Sequence, residues 1–133
     1  MALIWKFVKP LRMGSSVHAF CGQKGAKIPE RLASFIEQHN GGRPSECTFD
    51  TNVASGYVFN SLYSYNPQDA TFIGSTYDVL FAGTDLYPIG IEAAGNVICY
   101  SMATRNLVLW NHETDAVEQI NVRSNPSLFA GMV

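Results

Sequence analysis

Between residues 86 and 122 four apolar runs, LYPIGIE, VICYSM, LVLWNH and VEQINV, follow one another with only the turns AAGN, ATRN and ETDA between them. Parallel strands need a crossover of a dozen or more residues, whereas antiparallel neighbours are joined by tight turns. The spacing therefore predicts an antiparallel meander, against which the rest of the chain must pack. Two extended runs precede it, ECTFDTN and GYVFNSLYSYN. The second alternates Tyr57, Phe59, Ser61, Tyr63 and Tyr65 against Val58, Asn60, Leu62 and Ser64, the period of two that places one row on each face of a sheet. The opening LIWKFVK is a further extended segment ended by Pro10, an edge strand or a segment laid against the core.

Helical signals are fewer. In KIPERLASFIEQHNGG, Pro29 suits a first turn, Glu30 favours the positive helix end, and Leu32, Phe35, Ile36 and His39 fall at i, i+3, i+4 and i+7. The following HNGGRP reads as a helix terminator: Asn40 and Gly41 tolerate the left-handed conformation, Gly42 frees the chain to turn, and Pro44 blocks continuation. Arg43 is the one member of that stretch whose side chain the turn does not require. A short helix carrying Val17, Phe20 and Cys21 is expected after a Ser15 or Ser16 cap, stopped by Gly22. Asn66-Pro67 reads as a cap and first position of another, with Asp69 in its first turn and Ala70, Ile73, Tyr77 and Leu80 at helical spacing until Gly83. SNPSLFAGMV closes the chain as a short helix starting near Ser124 or Pro126.

With 133 residues, one domain over 1–133 accounts for the chain, and 47% apolar against 15% charged residues gives a generous core and leaves surface for a partner. No window approaches a membrane span, and MALIWKFVKP has basic residues inside its apolar run, so a soluble, unexported chain is expected. Cys21, Cys47 and Cys99 are odd in number and lack metal-site spacing, which predicts neither disulfide nor zinc and favours a reducing cytoplasm.

Charge is uneven along the sequence. Residues 1–43 hold seven Lys/Arg against two acids, while residues 44–133 hold only Arg105 and Arg123 against nine. The plain reading is an ordinary solvated surface. The sharper one is an acidic C-terminal face that steers a basic partner and repels nucleic acid. Stacking on nucleic acid would need cations between the aromatics, and residues 46–104 contain none.

Catalytic motifs are lacking. His112-Glu113 begins like HExxH, but the second histidine falls on Ala116; GSSVH lacks the second glycine of GxSxG, and no phosphate-loop or GxGxxG pattern occurs. His18, His39 and His112 have no ligand spacing, and a Cys–His nucleophile pair has no motif to support it.

The order of IWKFVKPL, KIPERLASFIEQHNGGRP, TFDT, NSLYSYN, LYPIGIEAAGNVICYS and LVLWNHET, with Phe129 behind them, resembles the SUKH superfamily, which includes yeast Smi/Knr cell-wall-assembly regulators and many bacterial immunity proteins. The most specific positions are Pro29, Asn40, Gly41, Gly42 and Pro44, the Gly95-Asn96 hairpin, and Trp110 to Glu113 with His112 among them. The resemblance implies an α+β domain whose antiparallel sheet of about five or six strands carries helices mainly on one side. It also implies a non-enzymatic, cofactor-free cytoplasmic protein, an immunity protein that neutralises a toxin, often a nuclease, or else a regulatory adaptor or small-ligand module. The chain departs from the family at Cys21, where a glutamate is frequent, at Glu92 in place of an aspartate, and at Ser101, where an acid is common. Candidate partner contacts are Arg43, Glu92, Glu113, Asp115 and Glu118, on a monomer or homodimer; a pocket near residues 40–44 and 110–113 would serve the adaptor alternative.

Overall fold

The computed structural model describes residues 3–133. Its elements run β1 (Trp5–Lys6), α1 (Val17–Lys24), α2 (Glu30–Gln38), β2 (Arg43–Pro44), β3 (Thr48–Thr51), β4 (Tyr57–Leu62) and α3 (Ile73–Thr76), which continues as a π-helical turn over Tyr77–Phe81. Then come β5 (Leu86–Glu92), β6 (Val97–Ser101), β7 (Asn106–Trp110), β8 (Val117–Asn121), a 3₁₀ turn (Val122–Ser124) and α4 (Pro126–Phe129). The meander forms with the expected pairing, β6 lying between β5 and β7 in an unbroken register from Val97↔Trp110 to Ser101↔Asn106.

The expected antiparallel sheet has six strands and is closed on itself: β3 to β8 form a barrel, so the helices do not lie on one side of an open sheet. The closing stave is β3, whose first residues pair with β4 (Thr48↔Val58, Phe49↔Tyr57) and whose last pair with β8 (Asp50↔Asn121, Thr51↔Ile120). Closure removes both free edges, which an open sheet would have had to protect. Pro88 has no N–H for the ladder, and β5 accommodates it at a register shift between Pro88 and Gly90. Alternation leaves neither face of the meander bare. Phe20 of α1 meets Tyr87 edge-on, while Phe81 of the π-helical turn meets Trp110 on the row shared with Val97, Cys99 and Val108.

α1 starts where Ser16 accepts a hydrogen bond from the Ala19 amide, as a serine cap requires. It runs through Gly22 to Lys24 and ends at left-handed Gly25, so Gly22 is not its stop. α2 begins directly after Pro29 and buries Leu32, Ala33 and Ile36. Its exit is made by Gly41 alone, at φ +69°; Asn40 does not adopt the left-handed conformation expected of it. Asn40 is instead fully buried, its Nδ2 donating to the Lys9 carbonyl (2.9 Å) and Ser64 Oγ (3.2 Å) while its Oδ1 accepts from the Tyr65 amide (2.8 Å).

Asn66 has a similar task, and it accounts for the helix that does not form after it. Its side chain accepts from the Arg12 amide and donates to the Pro10 carbonyl, so it holds the N-terminal arm rather than capping a helix. Residues 67–72 fold back as turns, with Ile73 donating to the Ser64 carbonyl, and helix begins only at Ile73. Of the expected apolar row only Ile73 and Tyr77 are buried; Ala70 and Leu80 are exposed. The arm itself pairs Trp5↔Pro44 and Lys6↔Arg43 and lays Trp5 against Phe35, His39 and Phe59. α4 is capped by Asn125, which also donates to the Thr48 carbonyl, and it seats Phe129 edge-on against Phe49.

Candidate functional site

The turns joining β5 to β6 and β7 to β8 meet at one end of the barrel and bring the hairpin motifs together. Glu92, at the end of β5, is buried; its Oε1 accepts from the Ala94 amide (3.1 Å) and Asn96 Nδ2 (2.9 Å), and its Oε2 from the Val58 amide (3.4 Å). That donation fixes the Asn96 amide, so Asn96 Oδ1 faces the His112 main-chain N–H (3.2 Å) and His112 Nδ1 (2.8 Å). An acceptor at that position requires Nδ1 to carry hydrogen, which leaves Nε2 of the neutral ring outward, 3.9 Å from Glu113 Oε1. Gly95 turns at φ +95° directly beside the ring, where a Cβ would lie 3.2 Å from His112 Cε1.

The next turn is equally tied down. Asn111 Oδ1 accepts from the amides of Glu113 and Thr114, and Trp110 Nε1 donates to the Asp115 carboxylate, whose residue sits at φ +61°. Asx-type turns of this kind hold a backbone that is otherwise costly for a non-glycine residue. Glu113 and Asp115 are thereby displayed on an exposed, self-bonded turn next to exposed Val117.

Of the five candidate contacts, then, the barrel end brings Glu92, Glu113 and Asp115 together, with only the latter two exposed. Glu118 is buried in β8, where its Oε1 accepts from Thr51 Oγ1 (2.7 Å) and the Tyr57 hydroxyl (2.8 Å). Both buried acids are consumed by internal hydrogen bonds and are removed from any open contact surface. Burial, followed by the hydrogen bond to Glu118, pushes the Tyr57 phenol up to about 12. Arg43 lies apart, exposed on the short β2 strand beside buried Pro44.

His18, Cys21 and Cys99 are tied into the packing. His18 joins α1 to α2 through Glu30 (2.8 Å) and Glu37 (3.2 Å), and those hydrogen bonds raise its pKa above the ordinary imidazole value. The Cys21 thiol lies against the Tyr87 hydroxyl, which in turn meets Tyr65; burial raises the pKa of Cys21 and that of Cys99. Raised thiol pKa values disfavour the thiolate that a nucleophile needs. Among the described residues no group of three or more His, Cys, Asp or Glu is placed to hold a metal ion, and no helix is long and apolar enough to cross a membrane.

Two clefts lie away from residues 40–44 and 110–113, where the adaptor alternative places its pocket. One cleft of about 490 Å³ opens between the start of α2, the β6–β7 and β8 strands and the C-terminal residues. Its floor is Tyr100, Leu107, Ile120 and Met132, and Arg31 and Arg105 stand on its rim. Sequence reasoning missed it because its walls come from segments about a hundred residues apart.

A barrel end locked by an Asn–His pair, an arm stapled by a buried asparagine and a proline-started helix define an α+β domain built around hairpin turns. The sequence model of the SMI1 / KNR4 family (SUKH-1) matches residues 16–123, and the chain belongs to that family. Comparisons with curated proteins and with solved structures find no significant match.

Proposed function

We propose that this chain is a non-enzymatic cytoplasmic binding protein of the immunity type, which neutralises a toxin by covering part of its surface. Family membership supports the class, since SUKH domains generally serve immunity or regulation by binding partner proteins. The observation that carries the reading is the turn 111–116. Trp110 Nε1 holds the Asp115 carboxylate and Asn111 holds the main chain that carries Glu113, so the turn is ordered before any partner arrives and little backbone ordering is left to oppose binding. A basic patch, such as that of a nuclease, is the complementary surface, and acids so placed accelerate encounter.

The test is a pull-down and growth-rescue assay with the toxin encoded beside this gene. The chain is expected to protect, and Glu113→Lys to weaken protection and slow association at low salt. Failure of the parent chain to bind or protect overturns the proposal. A natural partner whose binding is indifferent to Glu113→Lys would favour the regulatory-adaptor reading instead.

A further inference from the structure

The charge asymmetry of the sequence takes an unexpected form in space. A second hollow of about 490 Å³ adjoins the cleft described above, sharing Pro29, Tyr100 and Arg105 with it and adding Lys27. A smaller one, sharing Val122 and Val133, is lined by Arg123. Both cations of residues 44–133 therefore gather at this corner, together with Lys27 and Arg31 from the N-terminal part. No Asp or Glu lines any of the three hollows, in a chain whose net charge is −2.

These cations have no internal employment as charges. Among the described residues the ion pairs involve His18, Lys24 and His112 only. Arg31 donates to the Ala130 carbonyl (2.7 Å), which orients its guanidinium without neutralising it. Arg105 is held at the tip of the β6–β7 turn by the hydrogen bond that its main-chain N–H donates to the Ser101 carbonyl (2.7 Å), in a left-handed conformation that is strained for arginine. Between the cations the floor is apolar. A trough of this kind repels a basic ligand and leaves a wholly apolar one without partners for its rim; it complements apolar groups flanked by carboxylates.

We propose that this cleft docks a segment of a partner protein in which an apolar anchor residue is flanked by Asp or Glu. The anchor lies on Tyr100, Leu107 and Ile120, and the flanking carboxylates pair with Arg31, Arg105 and Lys27. An open trough extended across two hollows suits a chain segment better than a compact small molecule. The proposal rests on the reading of the chain as a protein-binding domain and adds a second, oppositely charged contact face to it.

The experiment is selection of a random-peptide phage library on the intact chain. Enriched peptides are expected to combine an apolar residue with neighbouring acids, to lose about tenfold or more in affinity on Arg31→Glu/Arg105→Glu, and to bind the parent chain more weakly as salt rises. Because Arg31 also touches the main chain, Arg105→Glu and Lys27→Glu are measured singly, with far-UV circular dichroism as the folding control. No enrichment, or enriched peptides that bind the charge-reversed chains as well as the parent, overturns the proposal. Displacement of the peptides by decanoate at lower concentration than by any acidic peptide would identify a small amphiphile as occupant and also overturn it. So would sedimentation showing self-association that Arg105→Glu abolishes, since the occupant would then be a second copy. Growth rescue separates this inference from the preceding one: a parent chain that protects, with Arg31→Glu/Arg105→Glu protecting equally, removes the cleft and leaves the immunity reading standing.

Discussion

Replacing Asn40 with glycine distinguishes two uses of the same residue. As a left-handed helix stop, Asn40 would be improved or left unchanged by glycine, which adopts that conformation at no steric cost. In the structure Asn40 is a buried junction: three hydrogen bonds leave its side chain, to Lys9, Ser64 and Tyr65, and its own carbonyl accepts from the Lys9 amide. Asn40→Gly removes the first three, leaving the buried Tyr65 N–H and the part-buried Lys9 carbonyl short of a partner. At about 1 kcal/mol for each neutral hydrogen bond, the loss is about 3 kcal/mol. For a domain of this size that lowers the melting temperature by about 10 °C. Thermal and urea unfolding followed by circular dichroism measure it, and limited trypsinolysis adds a local readout: freed from Lys9 contacts, the arm should be cut at Lys6 and Arg12 well below the melting temperature. A variant within about 0.5 kcal/mol of the parent, the usual range for surface changes, would refute the junction.

The adjoining glycines should differ in kind. Gly41→Val, at φ +69°, is expected to cost about 1–2 kcal/mol or more through backbone strain, while Arg43→Ala stays within about 0.5 kcal/mol; chemical denaturation of the two checks both. Gly42→Ala should destabilise although its φ is ordinary, because the new Cβ would lie 2.8 Å from the His39 carbonyl oxygen; unfolding at lower urea than the parent is the expected result. His18 should titrate above 6.5 by NMR. Since its folded pKa is raised, its bridge to Glu30 and Glu37 stabilises fully below the unfolded value and is lost as pH rises through the folded one. His18→Gln should therefore flatten stability across the neutral range. In native protein a disulfide reagent should modify half-buried Cys47 first, with Cys21 and Cys99 reacting only on unfolding.

What the sequence disclosed was local, and what it withheld was distant. The meander and α2 were legible because a period of two or of 3.6 and the turn between are written in adjacent residues. The barrel was not, because its seam joins Asp50 and Thr51 to Asn121 and Ile120, some seventy residues on, through pairs that carry no sequence pattern. Asparagine favours helix ends, which is what the sequence suggests for Asn40 and Asn66, but long-range hydrogen bonds to the arm take both side chains instead. Glu92 and Glu118 carried the signature of surface acids, and only their neighbours in space, Asn96, Thr51 and Tyr57, make burial tolerable. Glu113 and Asp115 were placed on a turn by ETDA itself.

The seam at β3 also sets the sequence of events by which the chain acquires its shape. Strands β5 to β8 can zip through neighbouring hairpins, whereas the β3–β8 pairing must wait until residue 121 has been synthesised and brought back across the whole sheet. Thr51 and Glu118, bonded across that seam, would then be among the last partners to meet. Until that pairing is made the strands form an open ribbon with two sticky margins, and the arrival of β8 turns the ribbon into a hoop without ends.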